Sequence, residues 1–553
     1  MSAYYQWYMF LREVTSKRKT GPDAVYVQLV HNQWDPEIEQ SRTRILHSFG
    51  RKRDLDTDQL RRLSEQCRAY LPAEEQVDGE FEITDSWQLG GLHLLDGLWR
   101  ELGLDEFFEK ALAEREFGAD VERAIFAMVA QRALAPGSKL AGARWAGRTA
   151  WIPGLEAGGR ELEVQHFYRA MDFLAAAMGN LREHLYFQIT DLLNADVSVI
   201  FYDTTSVSFE LDHADPEGEG LRRFGKSKKK RPDLPQIVLA LAINRDGLPV
   251  RHWVFPGNRV DVTTVEEVTQ DLAGLRPRRF LFVGDRGMVS QSNIDFLESR
   301  GQKYLLGASL RDDDVVERGV LSQRGRYGEV TDTLGVKQTV IEDGDRPIRY
   351  LLCRDTDRAG EDAQVRKEIL TRLEEELQGG ASEAHTRKAC DLLTTSGYRR
   401  YLRELESGGL TIDRGAVRRD ERLDGKYVLM TNDLETPADE LALGYRDMWR
   451  AERAFRSMKT GLDIEPVYHR KPRRVTAHAH LCVLAYLLTR LAEERTGTSW
   501  TLLREELERV SLSEVELSEA TVYRRKQLTG PERNLWNKCG LEIPPDPYQV
   551  SVA

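Results

Sequence analysis

The sequence is poor in the features that define several whole classes of protein. Its 553 residues contain five cysteines (Cys67, Cys353, Cys390, Cys482 and Cys539), far apart and without a C-x-x-C pair. That argues against a disulfide framework or a thiolate zinc site, and a reducing cytoplasm is the expected setting. The longest apolar run, Leu481 to Leu488, is far too short to span a bilayer. Residues Met1 to Trp7 lack the basic-then-apolar pattern of a signal peptide. No repeat, low-complexity tract or long Gly/Ser linker is present. Positive charge is not in excess either: 79 Lys and Arg face 90 Asp and Glu, for a net charge of -11. That disfavours a protein that coats nucleic acid, while leaving room for a local basic groove. What is there is an ordinary globular balance, 41% hydrophobic and 31% charged, with length for roughly three or four domains.

Residues 1–75 read as a small basic β unit suited to DNA contact. Ala24 to Val30 and Thr43 to Phe49 are β-rich, with Lys17, Arg18, Lys19, Arg42, Arg44, Arg51, Lys52 and Arg53 around them. Apolar residues three and four apart predict a helical domain over 76–195. From 196 to 310 the pattern changes. Val197 to Phe209 is a β-branched and aromatic run, and Gln236 to Phe255 reads as a strand, turn and strand. Helical spacing over Val262 to Leu275 precedes a strand ending at Asp285, then a helix, then a strand from Lys303 to Ala308. The order β-β-β-α-β-α-β is that of an α/β, ribonuclease H-like core; a doubly wound fold would alternate from its first strand. Residues 311–436 read as an inserted β-rich unit, 437–500 as the second part of the core, and 501–553 as a helical tail.

Asp203 and Asp285 each end a buried strand, and in this order the two strands can be neighbours. Adjacent carboxylates repel unless a cation or a shared proton intervenes. A strand-end aspartate on its own more often just caps a turn. With no Cys or His nearby, all-oxygen ligands suit Mg²⁺ or Mn²⁺. A third carboxylate, Glu452, lies in the helical stretch Gly444 to Lys459, where Tyr445, Glu452 and Lys459 are seven apart and share one stripe. Trp449 and Arg456 join it. Two basic clusters flank these elements: Arg222, Arg223, Lys226, Lys228, Lys229, Lys230 and Arg231, and then Arg470, Lys471, Arg473 and Arg474. Either cluster alone is more often a solvated loop; together they suggest a track for the DNA backbone. His478 and His480, two apart on a helix, do not share a face and are not read as a metal site.

Tyr202-Asp-Thr-Thr205, Gly284-Asp-Arg-Gly-Met288 and the Tyr445, Glu452, Lys459 helix resemble insertion-sequence transposases of the DDE type. The branch is the IS-four superfamily, with its Tyr-x2-Arg-x3-Glu-x6-Lys signature. Gly225 to Lys228, Asp233 to Gln236, Pro256 to Asp261 and Tyr26 to Gly50 resemble it too. The signature arginine position is Met448 here, with Arg446, Arg450 and Arg456 close by. The resemblance implies an enzyme that cuts DNA at transposon ends and joins them to target DNA, in a homo-oligomer that holds two ends. It implies two Mg²⁺ (or Mn²⁺) on Asp203, Asp285 and Glu452, with Tyr445 and Lys459 contacting phosphate. The branch carries a β-rich insertion between the second Asp and the Glu, and the 166 residues between Asp285 and Glu452 leave room for one. The competing readings are a transposase-derived DNA-binding protein that no longer cuts, for which loss of an acidic ligand would be the sign, and a ribonuclease H-like nuclease that does not join.

Overall fold

The computed structural model describes residues 9–16, 24–35, 40–68, 82–113, 121–155, 161–193, 195–211, 213–216, 218, 220–228, 231–274, 280–311, 314–343, 346–378, 387–406, 409–517 and 520–552. The chain divides into two compact units, Met1–Glu82 and Ile83–Ala553. In the first, β1 (Met9–Ser16), β2 (Ala24–Asp35) and β3 (Gln40–Arg51) form an antiparallel sheet, followed by α1 (Thr57–Arg68). Arg42 and Arg44 pair across the sheet with Gln33 and His31, whereas Lys17 to Lys19 lie outside the described residues.

The second unit is built on one nine-stranded mixed sheet. β5 (Val199–Ser208), β6 (Gln236–Ile243) and β7 (Pro249–Pro256) pair antiparallel in succession. β8 (Leu281–Gly284) and β9 (Lys303–Ala308) then run parallel to β5, each reached through a helix, α7 (Val265–Gly274) or α8 (Gln291–Ser299). β5 to β8 are rich in β-branched, aliphatic and aromatic residues, and are buried accordingly. This is the strand and helix order expected from the sequence.

Residues 311–436 do not stand apart as expected. β10 (Gly328–Glu329), β11 (Leu334–Asp343), β12 (Arg346–Asp355) and β15 (Lys426–Thr431) extend the same sheet, in the order β10-β11-β12-β15-β9-β8-β5-β6-β7. Between β12 and β15, α9 (Thr356–Glu376), α10 (Arg387–Thr394), α11 (Ser396–Arg399), the hairpin β13 (Leu402–Glu404) and β14 (Leu410–Ile412), and α12 (Arg414–Glu421) gather on a small core of Leu373, Leu392, Tyr401 and Val417.

The expected helical domain is likewise part of this unit. α2 (Gly90–Glu101), α3 (Leu104–Leu112), α4 (Val121–Leu134), α5 (Lys139–Arg148) and α6 (Val164–Phe187) share one core with a face of the sheet. The same core takes in α13 (Ala438–Arg446), α14 (Trp449–Thr460), α15 (Pro472–Thr496) and α16 (Trp500–Glu508). By length and composition α15 could cross a membrane, but 89% of its most apolar window is buried inside the protein. It is apolar on all sides because it is the central helix, packed between α4, α6 and β7. The tail is also not purely helical. β16 (Ser511–Leu517), β17 (Ala520–Arg525) and β18 (Gln549–Val552), with α17 (Gly530–Cys539) between the last two, build a four-stranded sheet on β4 (Glu82–Gln88).

Two glycines fix how the segment after β5 meets the segment after β7. A Cβ at Gly257 would collide with the backbone carbonyls of Gln236 and Arg223, and one at Gly225 would collide with the Gly257 carbonyl. Arg223 and Gln236 exchange backbone hydrogen bonds at this crossing, and the Gly257 N–H donates to the Leu221 carbonyl at 3.0 Å. Gly257→Ala should therefore lower stability by about 3 kcal/mol. Gly274→Ala, where a Cβ meets nothing within 4 Å, should be neutral or slightly stabilising. Urea denaturation of both variants checks the contrast.

Candidate active site

β8 stops at Gly284, which pairs with Tyr202, while β5 continues to Ser208. Asp203 is therefore in mid-strand, not at a strand end, and is the first β5 residue beyond the parallel ladder. Asp285 is the residue directly after β8. Neighbouring strands lie about 4.8 Å apart, so the two carboxylates emerge side by side from a notch in the sheet. The Asp285 side chain accepts from the Gly287 N–H at 2.8 Å, and Asp203 accepts from the Thr204 N–H at 2.7 Å.

Beyond the notch β5 has a free edge, and side chains complete it. Lys228 donates its ammonium to the Thr204 carbonyl. Lys459 donates to the Ser206 carbonyl at 3.0 Å and to the Thr205 hydroxyl at 2.8 Å. Glu465 accepts from the Ser208 N–H at 3.1 Å, and the Ser208 carbonyl receives the Val467 N–H at 3.3 Å. Polar backbone groups buried without partners are costly, so these residues are needed wherever β8 ends early.

The predicted helix Gly444 to Lys459 is two helices. α13 ends at Arg446, and a tight turn at Asp447 and Met448 starts α14. Tyr445 stacks on Tyr427 with ring centroids 5.9 Å apart, and a Cβ at Gly307 would meet its hydroxyl at 2.6 Å. Burial and the nearby Asp285 push the Tyr445 phenol up to about 12, so it is a protonated donor at neutral pH. Glu452 is exposed on α14, one heptad before Lys459 on the same face. Arg456 is exposed, and Met448 is half-buried against the core. Arg450 pairs with Asp447 at 3.2 Å.

Much of the predicted basic track is engaged by local partners, although among its described residues only Arg222 is buried. Arg222 is buried and paired with Asp215; Arg223 donates to the Asp215 and Pro216 carbonyls; Arg231 is bidentate with Asp233. Arg473 and Arg474 both reach Asp172. Lys226, Arg470 and Lys471 are exposed, and Lys229 and Lys230 lie outside the described residues. His478 and His480 are both buried, the first on the Ile464 carbonyl at 2.9 Å and the second against His252.

The sequence reading placed Lys228 in the basic track rather than among the carboxylates, and it did not single out Asp261. Lys228 belongs to the carboxylates: its ammonium is 3.5 Å from Asp203 and 3.7 Å from Asp261. Asp261 accepts the Thr204 hydroxyl at 2.5 Å, and its other oxygen faces Gly287 beside Asp285. The one signal for Asp261 was its place at the end of the Pro256 to Asp261 motif.

Burial raises the Asp203 carboxyl to about 6 against the pull of Lys228, with Asp285 and Asp261 adding repulsion. Burial raises Asp285 too, with Asp261 contributing. Two crowded carboxylates that resist ionisation, with only oxygen donors, suit a hard divalent cation that takes its other ligands from water and substrate. Among the described residues, no three His, Cys, Asp or Glu side chains converge on one point.

The transposase DDE domain family matches residues 195–488, just over half of the chain and the stretch that carries all of these groups. Among curated proteins, none matches the chain. Solved structures that show distant likeness include two transposase complexes. The piggyBac transposase synaptic complex with hairpin DNA has a TM-score of 0.35 and 8% identity, over 76% of this chain and 79% of that one. The Mos1 transposase paired-end complex with left transposon end has a TM-score of 0.14 and 13% identity, over 34% of this chain and 60% of that one. Likeness this distant carries no argument about the site.

The raised Asp203 pKa makes a stability prediction for the metal-free protein. An aspartate near 3.9 when unfolded and about 6 when folded binds more protons in the folded state between those values. Stability contributed by this group is therefore lost as pH rises from about 4 to about 6. Asp203→Asn should match the wild type near pH 4 and exceed it by up to about 3 kcal/mol above pH 6. Denaturation in EDTA across that range checks the sign.

Proposed function

Because the chain belongs to the DDE-domain transposase family, a family of DNA-cutting and DNA-joining enzymes, we propose that it is an IS-four-type member with a ribonuclease H-like core, which cuts at transposon ends and joins them to target DNA. The carrying observation is the pairing of Tyr202 with Gly284, which sets Asp203 beside Asp285. The strand order β7-β6-β5-β8-β9, with β6 antiparallel and β8 and β9 parallel to β5, supports the core assignment.

In this reading Asp203, Asp285 and Glu452 would hold two divalent ions, Mg²⁺ or Mn²⁺, once brought closer than they stand here. Bound, such ions supply activation of the attacking oxygen and charge neutralisation at the leaving oxygen. The chain's own residues do the rest. Lys459 and Glu465 hold the free edge of β5 just beyond Asp203, at Thr205, Ser206 and Ser208. Tyr445, protonated and beside Asp285, offers a hydrogen bond to a phosphate oxygen. The exposed Lys226, Arg456, Arg470 and Lys471 offer charge to the DNA backbone, and so do the arginines of the N-terminal sheet. Two ends joined to one target require two protomers held together. The non-cutting alternative needs a lost carboxylate, and all three are present.

The test is cleavage of linear DNA carrying the inverted repeats that flank the gene. Asp203→Asn, Asp285→Asn and Glu452→Gln should each slow cleavage roughly a thousandfold or more, since each removes several kcal/mol of charge stabilisation. Binding of end DNA should survive. Cleavage within tenfold of wild type for any of the three, or undiminished cleavage in EDTA, overturns the reading.

A further inference from the structure

Lys228 is tethered to β5 at both ends. Its backbone N–H donates to the Ser206 hydroxyl at 3.1 Å, and its ammonium to the Thr204 carbonyl. Asp261, hydrogen-bonded to the Thr204 hydroxyl, stands on the other side of that ammonium. The loop that carries Lys228 and the segment that carries Asp261 are clamped together by the close approach of Gly225 to Gly257. Neither group is free to choose its place.

The same ammonium also donates to the Thr204 hydroxyl at 3.2 Å, so one of its three donors is left over. The Lys228 side chain is 42% exposed, and its ammonium lies between Asp203 at 3.5 Å and Asp261 at 3.7 Å. A phosphodiester that reaches Asp203 and Asp285 must approach three carboxylates of its own sign. That repulsion is severe at short range in a partly buried site, and a fixed cation at the rim offsets it where it is greatest.

We propose that Lys228 contacts a non-bridging oxygen of the scissile phosphate, and that Asp261 is the positioning residue that aims its ammonium there. The inference rests on the transposase reading above. It separates Lys228 from Arg222, Arg223 and Arg231, which pair with Asp215, Pro216 and Asp233 and with none of the carboxylates of the site. If Lys228 served only as a strand partner for Thr204, its contribution would not depend on charge in the DNA.

The test couples the lysine to one phosphate. End DNA, taken from the flanking inverted repeats, is made with either the natural linkage or a neutral methylphosphonate at the element boundary. Its binding is measured in EDTA, where no cleavage occurs. The neutral linkage should weaken binding to the wild type about tenfold, as for one charge-assisted hydrogen bond. Lys228→Met should bind natural DNA about tenfold more weakly and show no further loss with the neutral linkage. Lys228→Gln, which keeps a donor for Thr204, should behave alike and serves if methionine disturbs folding; Lys228→Arg should retain the tenfold sensitivity. Asp261→Ala should reduce the sensitivity to about threefold although Lys228 is intact. In Mn²⁺, cleavage by Lys228→Met should fall on the order of a hundredfold.

Equal sensitivity to the neutral linkage in wild type and in the uncharged variants overturns the inference. It leaves the transposase reading standing if wild type cuts the ends and Glu452→Gln does not. Failure of the wild type to cut them overturns both.

Discussion

The geometry of the candidate site depends on where β8 stops. Had it continued beside β5, its backbone would satisfy Thr204, Ser206 and Ser208. Because it ends at Gly284, those groups take Lys228, Lys459, Glu465 and Val467 as partners. The requirement that buried backbone groups be paired thus draws residues from two distant segments to one strand edge. The gap left by the missing strand is where two aspartates can face outward together. Lys459, expected at a phosphate, is held by this requirement: its ammonium is already on Thr205 and Ser206.

The electrostatics follow from the same gap. Asp203 is desolvated by its place in mid-strand, and Asp285 and Asp261 stand close enough to oppose its ionisation. Lys228 offsets part of that cost without closing the site, since nearly half of its side chain remains accessible. A site of this kind is costly to the fold while it lacks a cation, as buried like charges are. The nine-stranded sheet and the shared helical core around α15 are large enough to carry it.

Much of this could be read from residue patterns. The strand runs of β5 to β9 are apolar and bounded by turn residues, so their order and the adjacency of Asp203 and Asp285 were legible. The break between α13 and α14 was not, because Asp447 and Met448 include neither Pro nor Gly and the apolar spacing runs straight through them. β16 and β17 were missed because Ser and Glu dilute their alternation; they are stabilised by tertiary packing, with Leu512 against Trp87 and Trp151. The basic segment misled in a different way. Counting charges cannot show that Arg222 is paired with Asp215 or that Lys228 reaches Asp203, since partners are set by the fold. Asp261 lay 58 residues from Asp203, with no periodicity connecting the two.

β10, β11 and β12 are joined to β9 through β15. An exposed strand edge is a template for unwanted pairing between chains. Shortening this region to a simple loop would strip the cover from β9, which lies only one strand from Asp285. A smaller protein built on the same plan would need something else along that margin, such as a charged strand, a helix or a second molecule. Miniaturisation of this fold is therefore limited by the need to keep the sheet that carries the candidate site from sticking to its neighbours.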